Sequence, residues 1–368
     1  MQFHPDEQTQ LLTQGVRAFA DAQLRKTAEK RDRAGSSPRE LLQNLADLGL
    51  MGLTVAEEHG GLALDPLAAT LALEELAAAD AGLALLVLNH QLVTLALQSQ
   101  QKHQDLPHLA NGKLLAVWAH GEDALHRDAQ TVATRATQEN DQWRLQGQKP
   151  DVFGANVADL ALVTARTDAG IAIFLVDLHA QGVRRSQPTD ALGLRTASLA
   201  TLHLDNVLLN GPVPIGLESA LPQIGLHARL GVAAIALGIA REALKLAGRY
   251  ALERQQFGKP IAQFQPIQWQ VANSAVELDA ATLLVHRAAW TISQKLPMKA
   301  QENAVAMARL TAGEMATRVT DRAIQLHGGY GYTREFSVER LYRDAWTLDS
   351  LHGSPGQQRI ELARRLTV

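Results

Sequence analysis

The hydrophobic pattern changes character twice along the chain. From residue 1 to about 112, apolar positions recur at helical spacing, first in Leu11–Ala22 and again in Leu41–Leu50. A glycine break, His59-Gly-Gly-Leu62, separates these from a long Ala/Leu-rich segment over 66–100. From about 113 to 211 the stretches become short: Val132–Ala136, Trp143–Gln146, Leu160–Ala165, Ile171–Val176 and Leu199–Val207. Some of them alternate, with Leu202 and Leu204 out of phase with Thr201, His203 and Asp205. Turn signals such as Asn140-Asp141 and Asp168-Ala-Gly170 lie between them, and this spacing predicts a small β-barrel or sandwich. From about 212 the helical period returns in Leu226–Ala251, Pro266–Ser293, Ala300–Leu326 and Val338–Leu348. The pattern predicts an α+β protein: a helical domain over 1–112, a β-domain over 113–211 and a helical bundle over 212–368.

Composition narrows the function classes. The 368 residues are 46% hydrophobic, ample for a sizeable core. A formal net charge of −3 argues against general nucleic-acid binding. The absence of cysteine excludes disulfides, thiolate metal sites and a cysteine nucleophile, and no metal site is expected. The N-terminus, Met1-Gln-Phe-His-Pro-Asp-Glu7, lacks the blocks of a signal peptide. The apolar region Leu71–Leu97 is interrupted by Glu74, Glu75 and Asp80, then by Asn89, His90 and Gln91. It falls short of the ~20 clean apolar residues of a membrane span. A cytoplasmic protein with no membrane partner is expected.

Two motifs carry candidate chemistry. Arg254-Gln-Gln-Phe-Gly258 falls between two long helices. A guanidinium beside open glycine backbone can meet a phosphate or pyrophosphate, and Phe257 can lie against a planar ring. Gln325-Leu-His-Gly-Gly-Tyr-Gly-Tyr332 offers an amide fork and glycines that let backbone approach a ligand. In isolation each has an ordinary structural reading, as a solvated helix-end charge and as a helix C-cap with a tight turn.

Together, in this order and on this layout, the motifs make the chain resemble the acyl-CoA dehydrogenase family over nearly its whole length. Met51-Gly-Leu-Thr-Val-Ala-Glu-Glu-His-Gly-Gly61 is similar to the family's N-terminal segment. Leu192-Gly-Leu-Arg-Thr-Ala-Ser198 with Leu202–Val207 resembles the strand pair that closes its β-domain. Glu253–Ile261 is close to its flavin-diphosphate signature, and Ala323–Tyr332 through Tyr342-Arg-Asp344 to its C-terminal signature. The resemblance implies a helical N-terminal domain, a central β-barrel domain and a C-terminal four-helix bundle. It implies FAD, and a homotetramer or homodimer in which neighbouring subunits complete each other's cofactor sites. By the same resemblance Arg254 and Phe257 contact the diphosphate and adenine side of one flavin. Gln325, Gly328 and Gly329 reach the flavin of a partner, and Ser354 takes the place of a flavin-touching Thr.

The chain departs from the family where chemistry is done. The usual catalytic Glu precedes the Gly of a C-terminal triplet that here reads His352-Gly353-Ser354. The alternative Glu position, directly before an Arg on the first long C-terminal helix, is Ala228-Arg229. The family's Thr-Glu-Pro-Gly loop is replaced within Val117–His126, and its Lys-x-Trp run by Lys149-Pro-Asp-Val-Phe153. His352 and Arg229 are therefore the candidate catalytic residues. His352 is readable as a base, as a donor to an anion or flavin–oxygen adduct, or as a spacer in a degenerate subunit. His120, His126 and Asp349 are weaker candidates. Small residues Gly225, Ala228 and Gly231 hint at room for a bulky group near the flavin. The expected function is oxidation chemistry on a CoA thioester or related substrate, altered toward flavin- and O2-dependent oxygenation. The alternatives are a dehydrogenase with His352 as base, passing electrons to an electron-transfer flavoprotein, and a degenerate subunit of a hetero-oligomer.

Overall fold

The computed structural model describes residues 6–122, 132–140, 142–209 and 214–367. The N-terminal helices are α1 (Glu7–Phe19), α2 (Ala28–Ala34), α3 (Arg39–Asp47), α4 (Pro66–Ala77), α5 (Ala81–Ser99) and α6 (Leu106–Ala110). The Ala/Leu-rich segment is thus two helices, because Asp80 interrupts it. Its carboxylate accepts the Leu83 N–H at 3.2 Å and caps α5, as Asp65 caps α4 through Ala68. Asp80 also forms a buried ion pair with Arg31 at 2.8 Å, tying α5 to α2.

By length and composition alone α5 could cross a membrane, but 89% of its apolar window is buried within the protein. The polar residues that interrupt its apolar run bond inward. Asn89 donates to the Phe153 carbonyl at 3.2 Å and Gln91 to that of Leu50 at 3.2 Å. The Ala116 N–H donates to His90 Nδ1, so the proton sits on Nε2, which donates to the Leu109 carbonyl at 3.1 Å. Burial lowers the His90 pKa to about 4 and keeps the ring neutral. Glu74 and Glu75, which also interrupt the apolar run, pair with Arg241 at 2.6 and 3.0 Å.

Among the described residues, eight strands form one mixed sheet: β1 (Ala116–Ala119), β2 (Arg135–Glu139), β3 (Gln142–Phe153), β4 (Leu160–Thr167), β5 (Gly170–Asp177), β6 (Val183–Arg185), β7 (Leu199–Leu209) and β8 (Gly216–Leu217). The order is β6-β7-β3-β2-β4-β5-β8, with β1 parallel to β4. β3 runs far beyond the expected Trp143–Gln146. Its register against β7 slips twice, the second time between Lys149 and Val152. That bulge accommodates Pro150 and the positive φ of Asp151, which a regular strand would not.

After the sheet come α7 (Leu221–Glu253), α8 (Gln265–Ser293), α9 (Met298–His327), α10 (Val338–Asp349) and α11 (Pro355–Leu366). α7 packs on α8, α9 and α10, and α11 lies on α9. α4 and α5 pack against α7, so both helical zones share one apolar core, while the sheet has its own around Val163, Phe174 and Leu202.

Two of the sequence signatures meet where the sheet joins the bundle. Asp344 accepts the Leu194 N–H at 2.6 Å, and Arg343 donates to the Leu192 carbonyl at 2.8 Å while pairing with Asp32 at 2.8 Å. Gly193 packs directly on the Arg343 backbone, where a Cβ would collide.

Candidate active site and cofactor groove

His352 and Arg229 line one cavity of about 280 Å³, with Trp118, His120, Gly225 and Gln358 among its other walls. Trp118 comes from β1, Gly225 and Arg229 from the start of α7, and Gln358 from α11. The His352 ring stacks on Trp118 with centroids 5.4 Å apart and planes 10° from parallel. His120 also stacks on Trp118, at 5.0 Å. The indole therefore has imidazole neighbours from two different elements.

The turn that carries His352 is held from beneath. Arg309, 1% exposed, donates to the carbonyls of Asp349 at 2.7 Å, Leu351 at 3.2 Å and Leu348 at 3.3 Å. It also pairs with the Asp349 carboxylate at 2.9 Å. These bonds satisfy carbonyls at the open end of α10. Asp349 is thus committed to Arg309 and does not line the cavity, so it is no candidate base. His352 has φ +52 and Gly353 φ +101. A Cβ on Gly353 would also collide with the Gln358 amide. Ser354 is not among the cavity's lining residues. Its hydroxyl caps α11 in a reciprocal box with Gln357.

The cavity is rich in unused donors. Trp118 Nε1, Arg229 Nε and the Gln358 amide nitrogen are buried donors without a hydrogen-bond partner, and the Gln358 amide oxygen is an unmet acceptor beside them. Burial lowers the Arg229 pKa, opposed first by the Glu361 charge. Nearby charges are matched elsewhere: Arg309 with Asp349, and Arg365 with Glu302 and Glu361 at 3.8 and 3.7 Å. Arg229 has no ion-pair partner within 4 Å among the described residues. Trp118 and Gln358 were missed in the sequence reading. Trp118 sits in plain view beside the altered loop, whereas nothing in the sequence distinguishes Gln358 from its neighbour Gln357.

Behind this wall, the residues that replace the family's loop form a buried network. Lys149 Nζ donates to Glu122 at 2.5 Å, to the Thr164 hydroxyl at 3.0 Å and to the His120 carbonyl at 3.1 Å. Burial lowers the Lys149 pKa to about 8 against the pull of Glu122. Glu122 is held below the usual carboxylate range by Lys149 and the Thr134 and Ala133 donors, although burial opposes them. His126 lies outside the described residues.

The small-residue hint does not survive. Ala228 is fully buried in the apolar core, and Gly231 faces a different cavity of about 450 Å³ lined also by Gln223, His227 and Leu230. At ~100° per helical residue Gly231 lies about 120° from Gly225 and about 160° from Arg229, well off the face that lines the His352 cavity. Of the three, Gly225 alone reaches the His352 cavity.

A second site lies where α7 and α9 end. Arg254, Gln325, Gly328 and Gly329 line a groove of about 400 Å³ with Tyr250 and Tyr330. Arg254 thus lies on the same groove as Gln325 and the glycines. The Arg254 guanidinium lies 5.8 Å from the Tyr330 ring centroid. Gly328 ends α9 with φ +58 and ψ −139, and neither Gly328 nor Gly329 has an atom within 4 Å of where a Cβ would stand. This open cradle with a cation at its edge fits a diphosphate-bearing group. Phe257 is not among the groove's lining residues. It sits 92% exposed at the tip of the hairpin β9 (Gln255–Gln256) and β10 (Lys259–Pro260), edge-on to Phe264.

The chain matches the N-terminal domain of acyl-CoA dehydrogenase over residues 6–113, the middle domain over 119–207 and the C-terminal domain over 216–367. It belongs to the acyl-CoA dehydrogenase family. Within that family it is 34% identical to a 3-(aryl)acrylate reductase of Clostridium sporogenes, over 98% of both chains. It superposes with TM-score 0.93 and 32% identity on a chain from the electron transferring flavoprotein structure of Acidaminococcus fermentans, covering 100% and 99% of the two. With TM-score 0.92 and 27% identity it superposes on glutaryl-CoA dehydrogenase of Mycobacterium smegmatis in complex with FADH2, covering 99% and 95%. This acyl-CoA dehydrogenase-like oxidoreductase therefore keeps the family's fold around a cavity whose expected carboxylate is replaced by His352.

Proposed function

We propose that this chain is an FAD-dependent oxidoreductase that adds or removes hydrogen across the α,β-carbons of an acyl substrate, a CoA thioester or a related conjugated acid. The observation that carries this reading is the convergence of His352 and Arg229, from opposite ends of the C-terminal zone, on one cavity walled by Trp118. FAD, when bound, supplies the two-electron exchange with the acyl β-carbon. Arg254 and the backbone at Gly328 and Gly329 hold its diphosphate and adenosine portion. His352 moves the α-proton at a ring nitrogen, a task suited to imidazole near neutral pH. Arg229 places an unmatched positive charge in the same cavity, which favours the anion formed as that proton leaves. Stacking on Trp118 restricts the imidazole orientation, and Arg309 restrains the turn beneath it.

The reading includes a second copy of the chain. The cofactor groove opens outward, and α8 carries Trp269, Val276 and Leu283 exposed at seven-residue spacing, an apolar stripe suited to a partner helix. Electron exchange with an electron-transfer flavoprotein is supported by the likeness to the Acidaminococcus fermentans structure. The relatives reported above are a reductase and a dehydrogenase, and they lend oxygenation no support.

The test is a flavin spectrum of the purified protein followed by anaerobic addition of butyryl-CoA or phenylpropionate. Bleaching of the oxidised flavin is expected, slowed at least ~100-fold in His352→Ala. No bleaching, with a C4a-type adduct when the chemically reduced protein meets O2, would establish oxygenation instead. A colourless protein that cannot be reconstituted with FAD would leave the degenerate-subunit reading.

A further inference from the structure

We infer that Gln358, with Trp118 and Arg229, forms an acyl-oxygen subsite that fixes the substrate in the His352 cavity. The inference rests on the proposed acyl chemistry and adds the groups that grip the substrate. Gln358 is 1% exposed, yet neither its amide nitrogen nor its oxygen has a partner. Leaving such a group unmet costs about 1–3 kcal/mol, so its burial calls for a compensating role. It lines the same cavity as the two other orphans, the Trp118 indole N–H and Arg229 Nε. Both of those are donors only, and the Gln358 amide contributes two further N–H groups.

Three elements therefore present donors to one small volume: β1 through Trp118, α7 through Arg229 and α11 through Gln358. The cavity's own carboxylates, Glu218 and Glu361, bond none of these atoms, so the group that answers the donors is a bound acceptor, either a carboxylate or a thioester carbonyl. Two observations show that the amide's place is built. Gly353 carries no side chain where a Cβ would strike the Gln358 nitrogen. The reciprocal cap between Ser354 and Gln357 fixes the first turn of α11, which carries Gln358. The adjoining His352 then lies on the same wall as the oxygen-binding groups, as proton movement at the α-carbon requires.

The experiment is isothermal titration of the flavin-loaded protein with two probes, trans-cinnamate as a free conjugated acid and crotonyl-CoA as a thioester. The wild type is expected to bind at least one, and the one it binds identifies the source of the acyl oxygen. Gln358→Met, which keeps the volume of the side chain but removes its donors, is expected to weaken that binding about tenfold with FAD content unchanged and the melting temperature held or raised, because an unmet buried amide is removed. Gln358→Glu, which sets an acidic oxygen against the acceptor, is expected to weaken it at least as much and serves as the second variant. Failure of the wild type to bind either probe, or unchanged affinity in both variants, would overturn the subsite. So would loss of FAD in place of loss of probe binding, because the amide would then serve the cofactor. Flavin bleaching by butyryl-CoA in the wild type tests the acyl chemistry separately, so failure of the subsite is distinguishable from failure of that chemistry.

Discussion

The His352 cavity and the Arg254 groove differ in how their polar groups are satisfied. The groove is an open surface feature with glycines facing empty space and a cation at its edge. Its residues match the family's signatures, and nothing buried is left unmet by the Arg254 and Gln325 side chains. The cavity lies between three elements, and its departures from the family adjoin buried polar atoms that lack partners. An open site loses little when its ligand is absent, because water serves its polar groups. A site whose polar atoms are buried and unmet carries them as a cost of folding, so its sequence is tied more tightly to its ligand. This contrast explains how a family signature can persist at the cofactor end while the chemistry end changes.

The sharpest way to break the comparison is through the clamp beneath His352. Replacing Arg309 with Met strands the Asp349 carboxylate and frees the carbonyls at 348, 349 and 351. A loss of about 3–5 kcal/mol in chemical denaturation is expected, the range for breaking a buried charge pair. A loss below about 1 kcal/mol would show that the turn stands without its clamp.

Acid should loosen the cavity before the groove. His90 anchors the first residue of β1, two residues from Trp118, and its folded pKa of about 4 lies below the ordinary value of 6.5. Its contribution is complete above pH 6.5 and is lost as pH falls toward 4, because the unfolded chain takes up the proton first. The difference amounts to about 3 kcal/mol. Denaturation at pH 7 and at pH 4.5 reads it, and His90→Gln should flatten the pH dependence.

At the groove the effects fall on cofactor affinity and not on folding. Arg254→Ala should weaken FAD binding by about 1.5–3 kcal/mol, the worth of a charge-assisted hydrogen bond, with the apoprotein melting unchanged. Gly329→Ala is the mildest change. Its φ is not in the left-handed region and its Cβ meets open space, so apoprotein stability should stay within about 0.5 kcal/mol. FAD affinity should still fall several-fold as the methyl enters the groove. Unaltered affinity in both variants would move the cofactor away from this groove.

Much of this was legible in the sequence because it depends on local order. The long helical periods mark α7, α8 and α9, and the Gly-rich run after Gln325 marks the end of α9. Where the sequence reading fell short, the deciding partner was remote. Asp80 splits the Ala/Leu segment while paired with Arg31, and β3 continues past Gln146 because β7 accepts its bulges. Asp349 stood as a weaker candidate base until Arg309, forty positions earlier, proved to hold it.

The sequence by itself determined the family, the three-zone layout and the substitution of histidine for the usual carboxylate, because these are properties of residues in order. Only the tertiary structure decided what surrounds that histidine. Trp118, Arg229 and the His352–Gln358 segment come from three separate stretches of the chain, and whether a buried donor is satisfied depends on every neighbour in space. That sum over neighbours is absent from the linear pattern, and it makes the cavity legible as a place for an acyl oxygen.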